Sequence, residues 1–223
     1  MEPNTTHTPT PLFQVRTPLS ALTHFIALLA AIFATPLILI HAAEAHAGRL
    51  HLVSLSIFMV SMILLYGAST AYHTFSLSEV GNRRLKKLDH TMIFFLIAGS
   101  YTPVCVVTLG ASGANLLILV WALAIAGAIF KLCWVTCPKW VSSVIYIAMG
   151  WSCVTAMPAI VAALSSMGFF WLLLGGIFYT VGGVLYALKP KCLEGKRFGI
   201  HEIFHIFVMV GSLCHYIFMY KFL

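Results

Sequence analysis

Five long stretches of this chain contain no Asp, Glu, Lys or Arg, and they leave little room for a water-soluble fold. A helix needs about 20 predominantly apolar residues to cross the hydrocarbon core of a bilayer, and each stretch is close to that length or longer. The chain is 61% hydrophobic and only 9% charged, whereas soluble domains are about 25% charged. The pattern predicts a multi-pass membrane protein. The stretches are Leu19–His41, Leu52–Thr74, Thr91–Ile129, Trp140–Leu188 and Ile203–Tyr220.

Two of these stretches are long enough to hold two membrane spans each. The breaks "GASG" at Gly110–Gly113 and "SSMG" at Ser165–Gly168 divide them, because clusters of Gly and Ser favour loops. Pro103 and Pro158 are expected to kink spans three and five. Seven helices are therefore predicted, at Leu19–His41, Leu52–Tyr72, Thr91–Leu109, Ala114–Trp134, Trp140–Leu164, Met167–Leu188 and Ile200–Tyr220.

The expected fold is all-α, with the seven transmembrane helices forming one bundle over residues 19–223. A short polar tail, residues 1–18, precedes it. The segments between spans are too short for a soluble domain, so any chemistry must lie inside the bundle or at its rims. No outer loop holds the pair of cysteines that would indicate a disulfide framework.

Basic residues are distributed unevenly between the two sides of the predicted bundle. Of the thirteen Lys and Arg, only Arg49 and Lys221 fall on one side, and eleven fall on the side that carries the N-terminus. The positive-inside rule then predicts a cytoplasmic N-terminus and a C-terminus outside. This sorting explains the net charge of +7 without a nucleic-acid partner. The eleven are Arg16, Arg83, Arg84, Lys86, Lys87, Lys131, Lys139, Lys189, Lys191, Lys196 and Arg197.

Polar residues from three spans are expected at one depth in the membrane. Span two ends with Ser69 and His73, which are four residues apart and share a helix face. Span three begins on the same side with Asp89, and span seven carries His201 and His205 in its first turns. Ionisable groups at membrane depth are costly and usually face one another or the bundle interior.

Three imidazoles and a carboxylate at one level predict a zinc site. The expected ligands are His73, His201 and His205, and three protein ligands leave a fourth position for water, as in catalytic zinc sites. Asp89 would hydrogen-bond that water or orient a ligand. For Ser69, two readings remain open, a role in the site or a packing hydroxyl bonded to a backbone carbonyl.

The sequence His201-Glu202-x-x-His205 also matches the H-E-x-x-H pattern of zinc peptidases. A soluble peptidase of that type needs a third ligand downstream, but position 211 is Gly and no acid follows Glu202. The peptidase interpretation is therefore disfavoured. An acid in the first turn of a helix is stabilised by the helix dipole, so a role for Glu202 as a base is only secondary. Isolated histidines such as His24, His90 and His215 are more often packing residues than ligands.

Several motifs together resemble the hemolysin III family of bacterial membrane proteins. That family is part of the progestin and adipoQ receptor (PAQR) superfamily, which includes the adiponectin receptors. The motifs are "SALTH" near span one, "SxxxH" at Ser69–His73, "LDH" and "GSYTP" in span three, and "HExxH" and "CHY" in span seven.

The resemblance implies a seven-helix bundle with its N-terminus inside a bacterial cytoplasmic membrane, and zinc held by His73, His201 and His205. It also implies that Asp89 and Ser69 line that site. In the adiponectin receptors the corresponding site looks like a hydrolase centre acting on ceramide, with zinc-bound water as the nucleophile. Bacterial members are linked to membrane-fluidity homeostasis, and the older family name implies lysis of red cells.

Three functions are compatible with these features. The first is zinc-dependent hydrolysis of an amide or ester of a membrane lipid that enters between helices. The second is a non-enzymatic, metal-stabilised lipid sensor. The third, an ion conduit or hemolytic pore, is disfavoured because the outer half of the predicted bundle offers few polar residues beyond Thr108, Ser152 and His215.

Overall fold

A computed structural model describes residues 15–193, 195 and 198–223 of the chain. In this part of the chain seven helices are long and apolar enough to cross a membrane, and no β-strand is present. The prediction of an all-α protein with seven spans is confirmed. The α-helices are α1 (Pro18–Glu44), α2 (Arg49–Thr74), α3 (Glu79–Pro103), α4 (Ala114–Cys133), α5 (Lys139–Gly150), α6 (Met157–Ala163), α7 (Ser166–Leu188) and α8 (Ile200–Phe222).

The third span begins twelve residues earlier than the apolar pattern predicts, at Glu79 instead of Thr91. Ser78 caps the helix, since its side chain accepts a hydrogen bond from the Gly81 amide at 3.3 Å. Glu79 adds an acid in the first turn, where the helix dipole favours negative charge. The polar, basic segment that follows is thus helical, and hydrophobicity alone cannot detect it.

Both predicted proline sites coincide with breaks in the α-helical hydrogen bonding. α3 ends at Pro103 and continues as a π-helical turn, Val104–Thr108. The fifth span consists of α5 and α6 joined by the 3₁₀ segment Trp151–Ala156, and Pro158 lies in the first turn of α6. Proline cannot donate a backbone hydrogen bond, so it is tolerated at such a helix start.

The outer surface of the bundle is apolar, as a bilayer requires. Large hydrophobic side chains such as Leu22, Phe33, Ile118 and Val144 are more than half exposed. In water an apolar surface of this extent would favour aggregation, whereas in lipid it contacts hydrocarbon. The surface therefore supports the membrane assignment independently of helix length.

Helix α1 packs against both α2 and α8, and α7 packs along α8. The α7–α8 approach is close because a side chain at Gly175 would overlap His215 and one at Gly182 would overlap Phe207. The neighbouring Gly176, in contrast, faces open space. Because α1 packs against both α2 and α8, the helix ends that carry His73, Ser20 and His201 meet.

The predicted tail lies partly outside the described residues, which begin at 15. The last tail residues are ordered against α2: the amide of Thr17 donates to the His73 carbonyl at 3.0 Å, and the amide of Arg16 donates to the Thr74 carbonyl at 3.3 Å. The basic residues Lys196 and Arg197 also lie outside the described part of the chain. Orientation across the membrane stays a prediction from the basic residues.

Candidate metal centre

Three histidines that are far apart in sequence converge at one end of the bundle. His73 lies in the last turn of α2, and His201 and His205 lie one turn apart at the start of α8. Each offers a ring nitrogen, and these three nitrogens all lie within 4.8 Å of one another. Nε2 of His201 is 3.0 Å from Nε2 of His73. Two ring nitrogens this close either share one proton or face one cation.

Two threonines of the α1 region orient these rings. Oγ1 of Thr17 lies 2.6 Å from Nδ1 of His73, and Oγ1 of Thr23 lies 3.1 Å from Nδ1 of His205. Each hydroxyl has one hydrogen, which Thr17 donates to the His73 carbonyl and Thr23 donates to the Ser20 carbonyl.

A cation on Nε2 would leave the ring proton on Nδ1, where each threonine hydroxyl can accept it. In that tautomer His73 and His205 present the lone pair of Nε2. Metal-binding histidines generally have such a partner on the second ring nitrogen, and it fixes both the tautomer and the ring orientation. His201 lacks one among the described residues, since its Nδ1 is buried without a hydrogen bond.

Glu202 lies between the two histidines of α8 in sequence, but its carboxylate is held elsewhere. Oε1 accepts a hydrogen bond from the Ser20 hydroxyl of α1, and Oε2 accepts one from the Gly199 amide at 3.0 Å. The side chain thus caps its own helix and joins α8 to α1. Both carboxylate oxygens have structural partners, which agrees with the helix-terminus interpretation from the sequence.

Asp89 is buried on α3, and Oδ2 lies 2.9 Å from Nδ1 of His90. The Ser69 hydroxyl, from α2, lies beside the same carboxylate. Asp89 and Ser69 line the same cavity as the histidine triad but are not part of the three-nitrogen cluster. The structure therefore places both predicted residues beside the cluster, on the wall of the same cavity.

His24 of α1 lies directly against the histidine cluster. Its ring stacks on His205 with centroids 3.6 Å apart and an angle of 8° between the planes. It also contacts the edge of Tyr66, whose hydroxyl donates to Ser212 at 2.7 Å. His24 thus supports the face of a triad ring, which is a packing role within the site.

A cavity of about 420 Å³ opens beside the triad. Most of its wall is aliphatic or aromatic, and its polar groups include the three histidines, Asp89 and Ser69. Sites for small molecules combine an apolar wall with few polar groups in this way. The arrangement could hold a metal ion at the edge of a chamber suited to an amphiphilic molecule.

The sequence matches a known protein family over nearly its full length. The family described as Haemolysin-III related matches residues 13–216. The "Hemolysin-3 homolog" of Bacillus subtilis is 39% identical over 194 residues, which cover 86% of this chain and 87% of that protein. The "Hemolysin-3" of Bacillus cereus is 37% identical over 194 residues, covering 86% and 85%.

A more distant relative connects the chain to the wider superfamily. The adiponectin receptor protein of Drosophila melanogaster is 28% identical over 179 residues, which cover 71% of this chain and 40% of that protein. Both the predicted family and its link to adiponectin receptors are confirmed. The family match and the two Bacillus relatives show that the chain belongs to the Haemolysin-III related family of multi-pass membrane proteins.

Proposed function

We propose that this protein is a zinc-dependent hydrolase that cleaves an amide or ester bond of a membrane lipid. The observation that supports this most is the convergence of three imidazole nitrogens at the edge of a largely apolar chamber. The bundle offers polar chemistry and a hydrocarbon-like wall at the same place. A lipid with an acyl chain and a polar linkage matches both.

The donor set fits zinc. Imidazole is a preferred zinc ligand, and two nitrogens bound to one tetrahedral zinc lie about 3.3 Å apart, close to the 3.0 Å between His73 and His201. Thr17 and Thr23 can accept the Nδ1 protons of His73 and His205, which would leave both Nε2 lone pairs free for the metal. Three protein ligands leave one position open, which is the catalytic type of zinc site.

Bound zinc would supply a Lewis acid that polarises a carbonyl and acidifies a coordinated water. The protein supplies the rest. Asp89 is positioned by His90 to accept a proton or a hydrogen bond from a water in the cavity, and Ser69 can donate a hydrogen bond to it or to the lipid. The apolar wall holds the acyl chain and restricts bulk water.

The cellular setting follows as part of the same proposal. Bacterial relatives and the eleven-to-two bias of basic residues support a cytoplasmic membrane with the triad near the inner leaflet. There the enzyme would act in membrane lipid homeostasis. Beyond the triad, Phe58, Tyr66 and Phe218 pack into a fully buried core, which favours a closed bundle over an ion conduit or lytic pore.

A second function, a metal-stabilised lipid sensor without catalysis, is favoured by one feature. The triad joins α2 to α8, and α1 contacts both through Thr17 and Thr23. A metal bound there would fix three helices relative to one another. In that case the metal would affect stability but no lipid would be cleaved.

The test measures whether the detergent-purified protein releases fatty acid from a panel of N-acyl and O-acyl lipids that includes a short-chain ceramide. Elemental analysis of the same preparation measures its zinc content. Wild type should contain one zinc per chain and release fatty acid. Chelation should abolish release, and added zinc should restore it. His205→Ala should lose zinc and release together, whereas His41→Ala, an exposed histidine at the opposite end, should keep both.

Asp89→Asn separates the two candidate functions. For a hydrolase, this variant should retain most of its zinc and lose fatty-acid release by about 100-fold or more, as expected for a general base. For a sensor, neither form should release fatty acid, and zinc should only raise the melting temperature. Zinc-loaded wild type that cleaves no lipid of either class would contradict the hydrolase proposal.

A further inference from the structure

Lys131, near the end of α4, is buried inside the bundle, although the sequence counts it with the basic residues on the N-terminal side. Only 1% of its surface is exposed. Its ammonium donates to the Ser142 hydroxyl at 2.5 Å and to Sγ of Cys137 at 3.1 Å. Lysines are almost never fully buried unless they are paired, because an unpaired charge is costly in an apolar medium.

No counter-charge for Lys131 exists among the described residues. The ion pair they contain joins Asp89 to His90, and no described carboxylate lies within 4.0 Å of the Lys131 ammonium. An ammonium has three hydrogens, and Ser142 and Cys137 accept two of them. One N–H of the ammonium form therefore has no acceptor among the described residues.

The same ammonium lines the cavity beside the histidine triad. Two further amines, of Lys86 and Lys139, line this cavity too, and the Lys139 amine lies 4.2 Å from the centre of the Tyr186 ring. The described residues that line the chamber include one carboxylate, Asp89, which contacts His90. Lys131 thus brings a buried amine to a chamber with a largely apolar wall.

Helix α5 contacts both Lys131 and the backbone next to Asp89. Ser142, which contacts the ammonium, lies four residues before Tyr146, a rise of about 6 Å along the helix. The Tyr146 hydroxyl donates to the His90 carbonyl at 2.9 Å, next to Asp89. In addition, Ser142 lies in the first turn of α5, where the helix dipole favours an anion.

We propose that Lys131, with Ser142, binds the oxyanion of an acidic amphiphile whose acyl chain lies along the apolar wall of the cavity. The oxyanion is a fatty-acid carboxylate or the phosphodiester of a lipid headgroup. This assignment rests on the proposed function and narrows its substrate or product to acidic lipids. A structural alternative is a neutral amine that only ties the α4–α5 connection through Cys137.

Binding of radiolabelled amphiphiles to the detergent-purified full chain tests this assignment. The probes share oleoyl chains: oleate and dioleoyl phosphatidylglycerol are acidic, methyl oleate is uncharged and dioleoyl phosphatidylcholine is zwitterionic. Wild type should bind an acidic probe about ten-fold more tightly than its matched non-acidic probe, since a charge-assisted hydrogen bond is strong enough for that difference. Preference for oleate identifies a carboxylate, and preference for phosphatidylglycerol identifies a phosphodiester.

Lys131→Met should lose this preference and keep its zinc content and its affinity for the non-acidic probes. Lys191→Met, at an exposed amine beyond α7, is the matched control and should behave as wild type. Equal affinity of wild type for acidic and non-acidic probes would overturn the assignment, whether or not Lys131→Met folds. An acidic preference that Lys131→Met retains would overturn it as well.

The binding assay is independent of catalysis, so the two proposals can fail separately. Acidic preference without fatty-acid release would leave the subsite and remove the hydrolase. Release from neutral lipids with no acidic preference would leave the hydrolase and remove the subsite.

Discussion

The hydroxyl of Thr17 lies 2.6 Å from Nδ1 of His73, although the two residues are 56 positions apart in the sequence. Thr23 has the same relationship with His205 at 3.1 Å. Thr17, just before α1, and Thr23, within α1, therefore contact two rings of the triad that belong to other helices. A bundle that lacked α1 would retain the histidines but not the groups that orient them.

We expect Thr17→Val and Thr23→Val to weaken zinc binding by about 10- to 100-fold each, the usual effect of removing such an orienting partner. The measurement is zinc retention against a chelator of known affinity. Thr35→Val is the matched control, because the Thr35 hydroxyl donates only to the Ala31 carbonyl in its own helix. Unchanged zinc affinity in both site variants would mean that other contacts orient the rings.

The sequence predicts the histidine cluster well because three constraints act on few residues. Alternating spans assign a depth to each histidine, helix periodicity puts His201 and His205 on one face, and the cost of polar groups in lipid brings them together with His73. These constraints need no knowledge of which helices are neighbours.

The contribution of α1 could not be predicted in the same way. Thr17, Ser20 and Thr23 are each ordinary in a membrane helix, and their partners lie on other helices. Their three-residue spacing is a weak signal of a polar face directed inward. Similarly, the positive-inside rule counts Lys131 with the basic residues on the N-terminal side, and only the packing of α4 against α5 shows that it is buried.

Glu202→Gln distinguishes a structural acid from a catalytic base. The amide can replace only one of the two acceptor oxygens that contact Ser20 and Gly199, so a cap or an interhelical hydrogen bond is lost. We expect a loss of about 1–2 kcal/mol in stability, within the range for cap removal, with zinc content and fatty-acid release per zinc nearly unchanged. The readouts are the melting temperature and turnover, and Glu44→Gln, an exposed acid at the other end of α1, serves as control. A loss of turnover by 100-fold with normal zinc would instead assign Glu202 to catalysis.

His24→Phe tests whether His24 is a packing residue or a metal ligand. Phe preserves the stack on His205 and the edge contact with Tyr66, and it removes two buried ring nitrogens that form no well-aligned hydrogen bond with a described residue. We therefore expect equal or higher thermal stability and one zinc per chain. His24→Ala should cost about 2 kcal/mol or more, because it leaves a cavity beneath the triad. Loss of zinc in the stable Phe variant would place His24 among the ligands.

Gly127 of α4 lies where no side chain fits. A Cβ at this position would overlap the ring of Phe94, which is fully buried in α3 and cannot move aside without displacing its neighbours. Gly127→Ala should therefore separate α4 from α3 and cost about 1–3 kcal/mol of folding free energy, the usual penalty for overpacking.

Gly176→Ala is the matched control in α7, since a Cβ there meets no atom within 4 Å. Because Ala is the better helix former by about 0.5–1 kcal/mol, the control should melt at the same temperature or higher. Thermal unfolding in detergent gives both values, and a Gly127→Ala protein as stable as wild type would show that α3 and α4 do not approach this closely.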